Sequence, residues 1–480
     1  MIRLDKSRPT LERFRIPIVV VAVLGASLAL GFVATNYLVV GMVALAGLVA
    51  LLVRPELGLV ALVVAALVGR FDVPTGTEVV LNPATLMVPA LAGLLLVAAL
   101  TQRPVKLARS RVMLPMAVFL AAALVSLFVG DATWDPFVPR GSNLLLVQLA
   151  QWALYAFAFV AFWLAASLGR DTRWLKWMTA AFLAIGGLLA IMLSLRPTAS
   201  IASSVGTVAI IRAPYWTMLT ALAGGQLLFN KKLSSWQRIA AGAIVLVAVV
   251  YTFVIDREAA SNWVGVGSAL AILAWLRFRR LRWAALVFVL VLLLTGLVFP
   301  TVWSFAGGDD EWTTSGQSRL VLIERVLSVS MRNPVTGLGP VAYRNYASTT
   351  PLAYQRAFWV QPQINSHNNY VDVFAQFGLL GLGIIGWLVV EIGRLGLRLL
   401  PRLEEGFEAG YLRGMMAAGA GALAVMFLAD WILPFVYNIG FPGFQASVLF
   451  WLFLGGLVAL EANDRATEPE SKGAAASEPA

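Results

Sequence analysis

Runs of apolar residues, roughly 18 to 25 long, recur from one end of this 480-residue chain to the other. Each is long enough, as a helix, to cross about 30 Å of hydrocarbon. Backbone inside lipid must satisfy its own hydrogen bonds, so only helices and closed barrels can span. A barrel would show alternating segments of about ten residues instead. The chain is therefore an all-α polytopic membrane protein. Its composition (60% hydrophobic, 13% charged, mean hydropathy +0.82) lies far outside the soluble range.

Length and flanking charge predict about fourteen spans, near 16–35, 37–53, 57–71, 84–101, 112–130, 144–168, 177–195, 214–229, 239–255, 259–276, 284–304, 370–393, 412–429 and 444–461. The third is short. Four regions follow: 1–304 with about eleven helices, an external loop at 305–369, about three helices in 370–461, and a disordered cytoplasmic tail at 462–480. The first apolar run reads as an uncleaved anchor. With the amino terminus in the cytoplasm, roughly 26 of the 36 basic residues fall inside, and both termini are cytoplasmic. Topology thus accounts for most of the +11 net charge, and no nucleic-acid partner is implied. Every lysine lies inside. The basic residues outside are all arginine: Arg70, Arg140, Arg196, Arg212, Arg257, Arg319, Arg325, Arg332, Arg344 and Arg356. Arginine offers a planar fork for phosphate and carboxylate oxygens.

With no cysteine, disulfides, thiolate catalysis, zinc–cysteine sites and iron–sulfur clusters are excluded. A single histidine excludes a histidine-rich metal site, whereas a carboxylate-bound magnesium or calcium site stays open. Few ionisable residues fall within the spans. Asp372, Glu391 and Asp430 lie near span ends, and Gln148 and Gln151 are only polar. That scarcity favours chemistry at one surface over transport through the middle.

The external loop is the place for that chemistry, because long loops in compact proteins are usually functional or disordered. Its apolar spacing predicts a helix over 318–331, with Leu320, Ile323, Val326, Leu327 and Met331 on one side, lying on the membrane surface. Pro334 stops it, Gly337 and Gly339 form a turn, and a second short helix covers 341–347. Arg325, one residue after Glu324, decorates this helix on a structural reading and touches substrate on a functional one. The only histidine, His367, follows Ser366, a good N-cap for the span starting near Tyr370. A helix start favours nearby anions, and histidine is the side chain suited to proton transfer near neutrality. The competing structural reading is a polar helix-start residue bonded to backbone. Arginines at span ends can snorkel, and Arg257, between Asp256 and Glu258, can form a local ion pair.

Taken in order, Ser318-Arg319, Asn333-Pro334-Val-Thr-Gly337-Leu-Gly339, Ser366-His367-Asn368-Asn369-Tyr370 and Phe377-Gly378-Leu-Leu-Gly381-Leu382 resemble the O-antigen ligase and polymerase superfamily. The resemblance implies a GT-C-like fold and a glycosyltransferase that works without metal or cofactor. It would move a glycan from an undecaprenyl-pyrophosphate-linked donor to a hydroxyl of a glycan or glycolipid acceptor, at the outer face of the bacterial cytoplasmic membrane. The positions matching the family's site are His367, Arg319 and Arg257, with Arg212 the rival to Arg257. Arg325, Asn368 and Tyr370 join Arg212 as candidate substrate contacts. Glu258 stands where the family has glycine, and Ile323 where it has an aromatic residue. Two other classes compete: a transporter or flippase for a lipid-linked glycan or small solute, and an inactive scaffold of a polysaccharide export complex.

Overall fold

The computed structural model describes residues 50–74, 80–101, 107–284, 317–349, 366–436 and 440–475, together with positions 47, 287 and 291. In chain order the helices are α1 (Leu57–Val68), α2 (Pro83–Thr101), α3 (Met113–Ala132), α4 (Leu144–Leu168), α5 (Thr172–Ser194), α6 (Arg196–Val205), α7 (Ala213–Phe229), α8 (Ser235–Val250), α9 (Ala260–Arg277), α10 (Gln317–Ser330), α11 (Tyr343–Ser348), α12 (Asn369–Leu399), α13 (Phe407–Val425) and α14 (Gly440–Ala475). A small antiparallel hairpin pairs β1 (Val73–Pro74) with β2 (Val80–Leu81), Val73 opposite Leu81.

Among the described residues, 7 helices are long and apolar enough to cross a membrane. They are α2, α3, α4, α5, α8 with the π-helical turn Tyr251–Ile255, α12, and α14 as far as Arg465. The chain is a multi-pass membrane protein. The expected spans at 16–35, most of 37–53 and most of 284–304 lie outside the described residues. The expected span at 57–71 is the 12-residue α1, which stops before Gly69 and is too short to cross alone.

The segments expected at 214–229, 259–276 and 412–429 are α7, α9 and α13. These helices approach backbone to backbone. A β-carbon on Gly225 would run into Gly410 and Gly414, and one on Gly421 would run into Thr217 and Gly265. Small residues allow such close crossings where lipid supplies no hydrophobic drive between helices. The most apolar stretch of α14 is 100% buried, the largest share among these spans.

The tail expected to be disordered from 462 instead continues α14 to Ala475. Asp464 in this stretch pairs with Arg402 at 2.8 Å, and Glu461 just before it pairs with Arg398 at 3.4 Å.

Outside the bundle, α10 and α11 form a small second core with the α3–α4 connection and the start of α12. Trp134, Val138, Val326, Val329, Tyr343, Tyr346 and Phe435 meet there. The buried face of α10 differs from the expected one. Leu322, Arg325, Val326 and Val329 point inward, whereas Leu320, Leu327 and Met331 are exposed. The displaced face has a cause: the Arg325 guanidinium turns in and donates to the Ala347 carbonyl at 2.8 Å, joining α10 to α11.

The Asn333–Gly339 turn docks into a break in α12. Gly378 has φ 61 and ψ −157, which interrupts that helix. The loop completes its hydrogen bonding: Leu379 and Leu380 N–H donate to the Pro334 and Val335 carbonyls at 2.9 and 3.1 Å. In return Leu338 N–H donates to Ala375 O at 2.9 Å, and Ser126 Oγ on α3 lies 2.6 Å from both the Thr336 and Gln376 carbonyls.

Candidate active site

The site gathers around the stretch 426–436 that follows α13. Asn369 grips this stretch twice: its amide Nδ2 donates to Leu433 O at 2.8 Å and its Oδ1 accepts from Leu433 N–H at 3.2 Å. Gln151 on α4 does the same from the other side, donating to Pro434 O at 3.0 Å and accepting from Val436 N–H at 2.7 Å. Asn368 donates to Phe427 O at 3.0 Å, and Asn369 N–H to Met426 O at 2.8 Å. The Ser-His-Asn-Asn-Tyr motif is therefore also a fastener for a distant segment.

The N-cap of α12 is Asn368, not Ser366. Its Oδ1 accepts from Tyr370 and Val371 N–H at 3.0 and 3.2 Å. The Ser366 hydroxyl is engaged by Asp372, donating to Oδ1 at 2.7 Å, which removes it from the capping position. His367 thus precedes the helix rather than joining its first turn. Its φ of 54 lies in the left-handed region, uncommon for a residue with a β-carbon though histidine is among those enriched there. Such conformations cluster at functional sites.

Three consecutive features of the 426–436 stretch meet three of the sequence-derived candidates. Leu428 O accepts from the Arg319 guanidinium at 3.4 Å. Asp430, 1% exposed, faces His367 Nδ1 at 3.8 Å. The Trp431 ring lies 4.2 Å from the Arg212 guanidinium carbon, a cation–π contact. Arg212 is itself the residue before α7, and its charge interacts with both Asp430 and Asp256. Burial lowers the Arg212 pKa, while those two carboxylates oppose the shift. Burial raises Asp256 above the ordinary carboxylate range, against a hydrogen bond from Asn262 at 2.9 Å and the nearby Arg212.

Arg257 stands apart. It is exposed at the turn between the π-helical segment and α9, and among the described residues it ion-pairs with neither Asp256 nor Glu258. Arg325, a candidate substrate contact, is 7% exposed inside the loop core, beside Tyr343. Burial pushes the Tyr343 phenol up to about 12, with the Arg325 charge pulling the other way. Asn368 and Tyr370 were the remaining candidates. Asn368 is occupied as cap and fastener, and the Tyr370 hydroxyl donates to Leu423 O at 2.9 Å while its ring packs on Phe427.

Sequence reasoning placed Asp430 only near a span end, outside the candidate site, and did not single out Trp431. The signal was an acid placed directly after an apolar helix, in Ala429-Asp430-Trp431, where an unpaired charge would be costly.

Residues 243–386 match the family model described as O-antigen ligase. No curated protein matches the chain. The matched stretch runs from within α8, across α10 and α11, past the break in α12. It contains Arg257, Arg319 and His367, while Arg212 and Asp430 lie outside it, and it supports a place for this chain in the O-antigen ligase and polymerase superfamily.

Proposed function

We propose that this protein is a membrane glycosyltransferase of the O-antigen ligase or polymerase type, acting at the outer face of a bacterial cytoplasmic membrane. It takes a glycan from an undecaprenyl-pyrophosphate-linked donor and passes it to a hydroxyl of a glycan or glycolipid acceptor. The observation that carries this reading is the convergence of Arg319, His367 and Arg212 on Leu428, Asp430 and Trp431.

The acceptor oxygen attacks the anomeric carbon as the carbon–oxygen bond to the pyrophosphate breaks. The electron pair leaves with the polyprenyl pyrophosphate, and single displacement inverts the anomeric centre. Negative charge grows on the leaving phosphate, so cations aimed at it stabilise the transition state more than the ground state. Arg319 and Arg212 supply that charge from the fold, with Arg257 on the exposed turn beside Asp256. Trp431 and the flanking carboxylates hold the Arg212 plane in one orientation. His367 takes the acceptor proton on Nε2. With Nδ1 toward Asp430, the carboxylate favours the tautomer protonated at Nδ1 and stabilises the imidazolium that forms.

The test uses the purified chain with a lipid-linked oligosaccharide and a glycan acceptor, with chelator present throughout. His367→Ala and Arg319→Ala should each lower transfer by about a hundredfold or more. Arg212→Ala should lower transfer more than Arg257→Ala. Full transfer by both the His367 and Arg319 variants would sink the chemistry, and movement of intact donor across sealed vesicles without a new glycosidic bond would replace it with transport.

A further inference from the structure

The far end of the bundle carries a second concentration of charge. α7 starts beside Arg212, α8 runs through its π turn to Asp256, α9 starts just after it, and α13 leads into the 426–436 stretch. Their other ends therefore share the opposite side. The span from Ser235 to Ile255 has 21 residues, about 31 Å at the helical rise and so about one hydrocarbon thickness.

There Glu405, just before α13, pairs with Lys231 and also with Arg277 at 3.8 Å. One carboxylate thus joins the α7–α8 turn to the end of α9 and makes their basic residues a single patch. Lys232, Arg238, Arg279, Arg280 and Arg282 extend it, and none of them pairs with a carboxylate among the described residues. Apolar side chains near these cations in the chain are largely exposed: Trp236 at 70%, Ile239 at 73% and Trp283 at 76%. Arg282 folds over its neighbour, donating from Nε to Trp275 O at 2.6 Å with its guanidinium 5.4 Å from the indole ring.

Orientation bias explains an excess of cations on one side. It does not require cations from two separate turns to be drawn together on one acid, nor exposed tryptophans from both turns beside them. Indole prefers the headgroup level, and arginine stems lie along apolar surface with the charge held in the polar layer. We propose that this patch binds an anionic phospholipid. Its phosphate would be held by Lys232, Arg279 and Arg280, with its acyl chains against Trp236, Ile239 and Trp283.

The experiment compares retention of phosphatidylglycerol and phosphatidylcholine by the full chain in mild detergent, using native mass spectrometry. The wild type should prefer phosphatidylglycerol. Removing charge with Lys232→Ser, Arg279→Ser and Arg280→Ser together should reduce that preference by about fivefold per charge, up to about a hundredfold. Arg279→Lys with Arg280→Lys should keep it, since charge and snorkelling survive. If the triple variant fails to fold, a salt series on the wild type decides, and the preference should collapse as salt rises to about 0.5 M. Equal retention of the two lipids, a triple variant that keeps the preference, or a preference indifferent to salt each overturns the proposal. None of these outcomes bears on glycan transfer, which is read separately.

Discussion

Replacing Gly378 with alanine should unseat the Asn333–Gly339 turn from the bundle. The backbone there (φ 61, ψ −157) lies in a region essentially reserved for glycine, and an alanine held in it costs about 1–3 kcal/mol. A second cost is steric. The new β-carbon would fall against the Pro334 and Val335 carbonyls, and backbone atoms cannot rotate aside as a side-chain end can. Relief requires the Asn333–Gly339 turn to withdraw. That gives up the bonds from Leu379 and Leu380 N–H at 2.9 and 3.1 Å, worth about 1 kcal/mol each net. Strain and lost bonds sum to about 3–5 kcal/mol, unless the loop moves far enough to release the strain altogether. The control is Gly383→Ala in the same helix, where a β-carbon meets nothing within 4 Å. That change should be neutral or stabilising by up to about 1 kcal/mol, from helix propensity alone. The assay is thermal melting of detergent-solubilised protein followed by size-exclusion chromatography with fluorescence detection. Gly378→Ala should melt several degrees below Gly383→Ala, and its surviving folded fraction should transfer glycan poorly, because α10 carries Arg319 and leads directly into the displaced turn. Coincident melting of the two variants would refute the docking argument.

Asp430→Asn keeps the shape of the side chain facing His367 Nδ1 at 3.8 Å and removes its charge. Transfer should fall about a hundredfold with melting close to wild type, and Asp430→Glu should restore part of it. Wild-type transfer by Asp430→Asn would exclude the carboxylate from the reaction. Asp256 predicts a pH effect. Its folded pKa is raised above the ordinary 3.8 by burial, so the folded state binds its proton more tightly than the unfolded chain. Stability from this group is therefore greatest at low pH and falls as pH rises from about 3.8 through the raised value. Melting curves across that window should show the loss in wild type and lack it in Asp256→Asn. An identical pH slope in the two would contradict the assignment.

What could be read from sequence alone was whatever is written in consecutive residues. Apolar runs placed the helices, and α4 begins and ends where 144–168 had it. The loop helix expected at 318–331 is Gln317–Ser330, because periodicity and Pro334 are both local signals. The misreadings arise where two local options are equally good and a distant contact chooses. Ser366 and Asn368 are both favourable caps. Asp372 takes the serine hydroxyl, and Phe427 fixes the asparagine amide, so Asn368 caps. Arg325 reads from sequence as decorating the loop helix or touching substrate, and the Ala347 carbonyl gives its guanidinium a buried partner instead. Asp430 shows the limit most clearly. Alone it is an acid just after an apolar helix, a position that calls for a partner without saying which residue supplies it. In the fold it is buried, facing the imidazole of residue 367 and the charge of Arg212, on a stretch that Asn369 and Gln151 pin. The pairing in a site assembled by such long-range fastening cannot be read from a window of consecutive residues, even where its members can. The Ser-His-Asn-Asn-Tyr stretch records one side of this contact, and the other side is an ordinary-looking turn after α13.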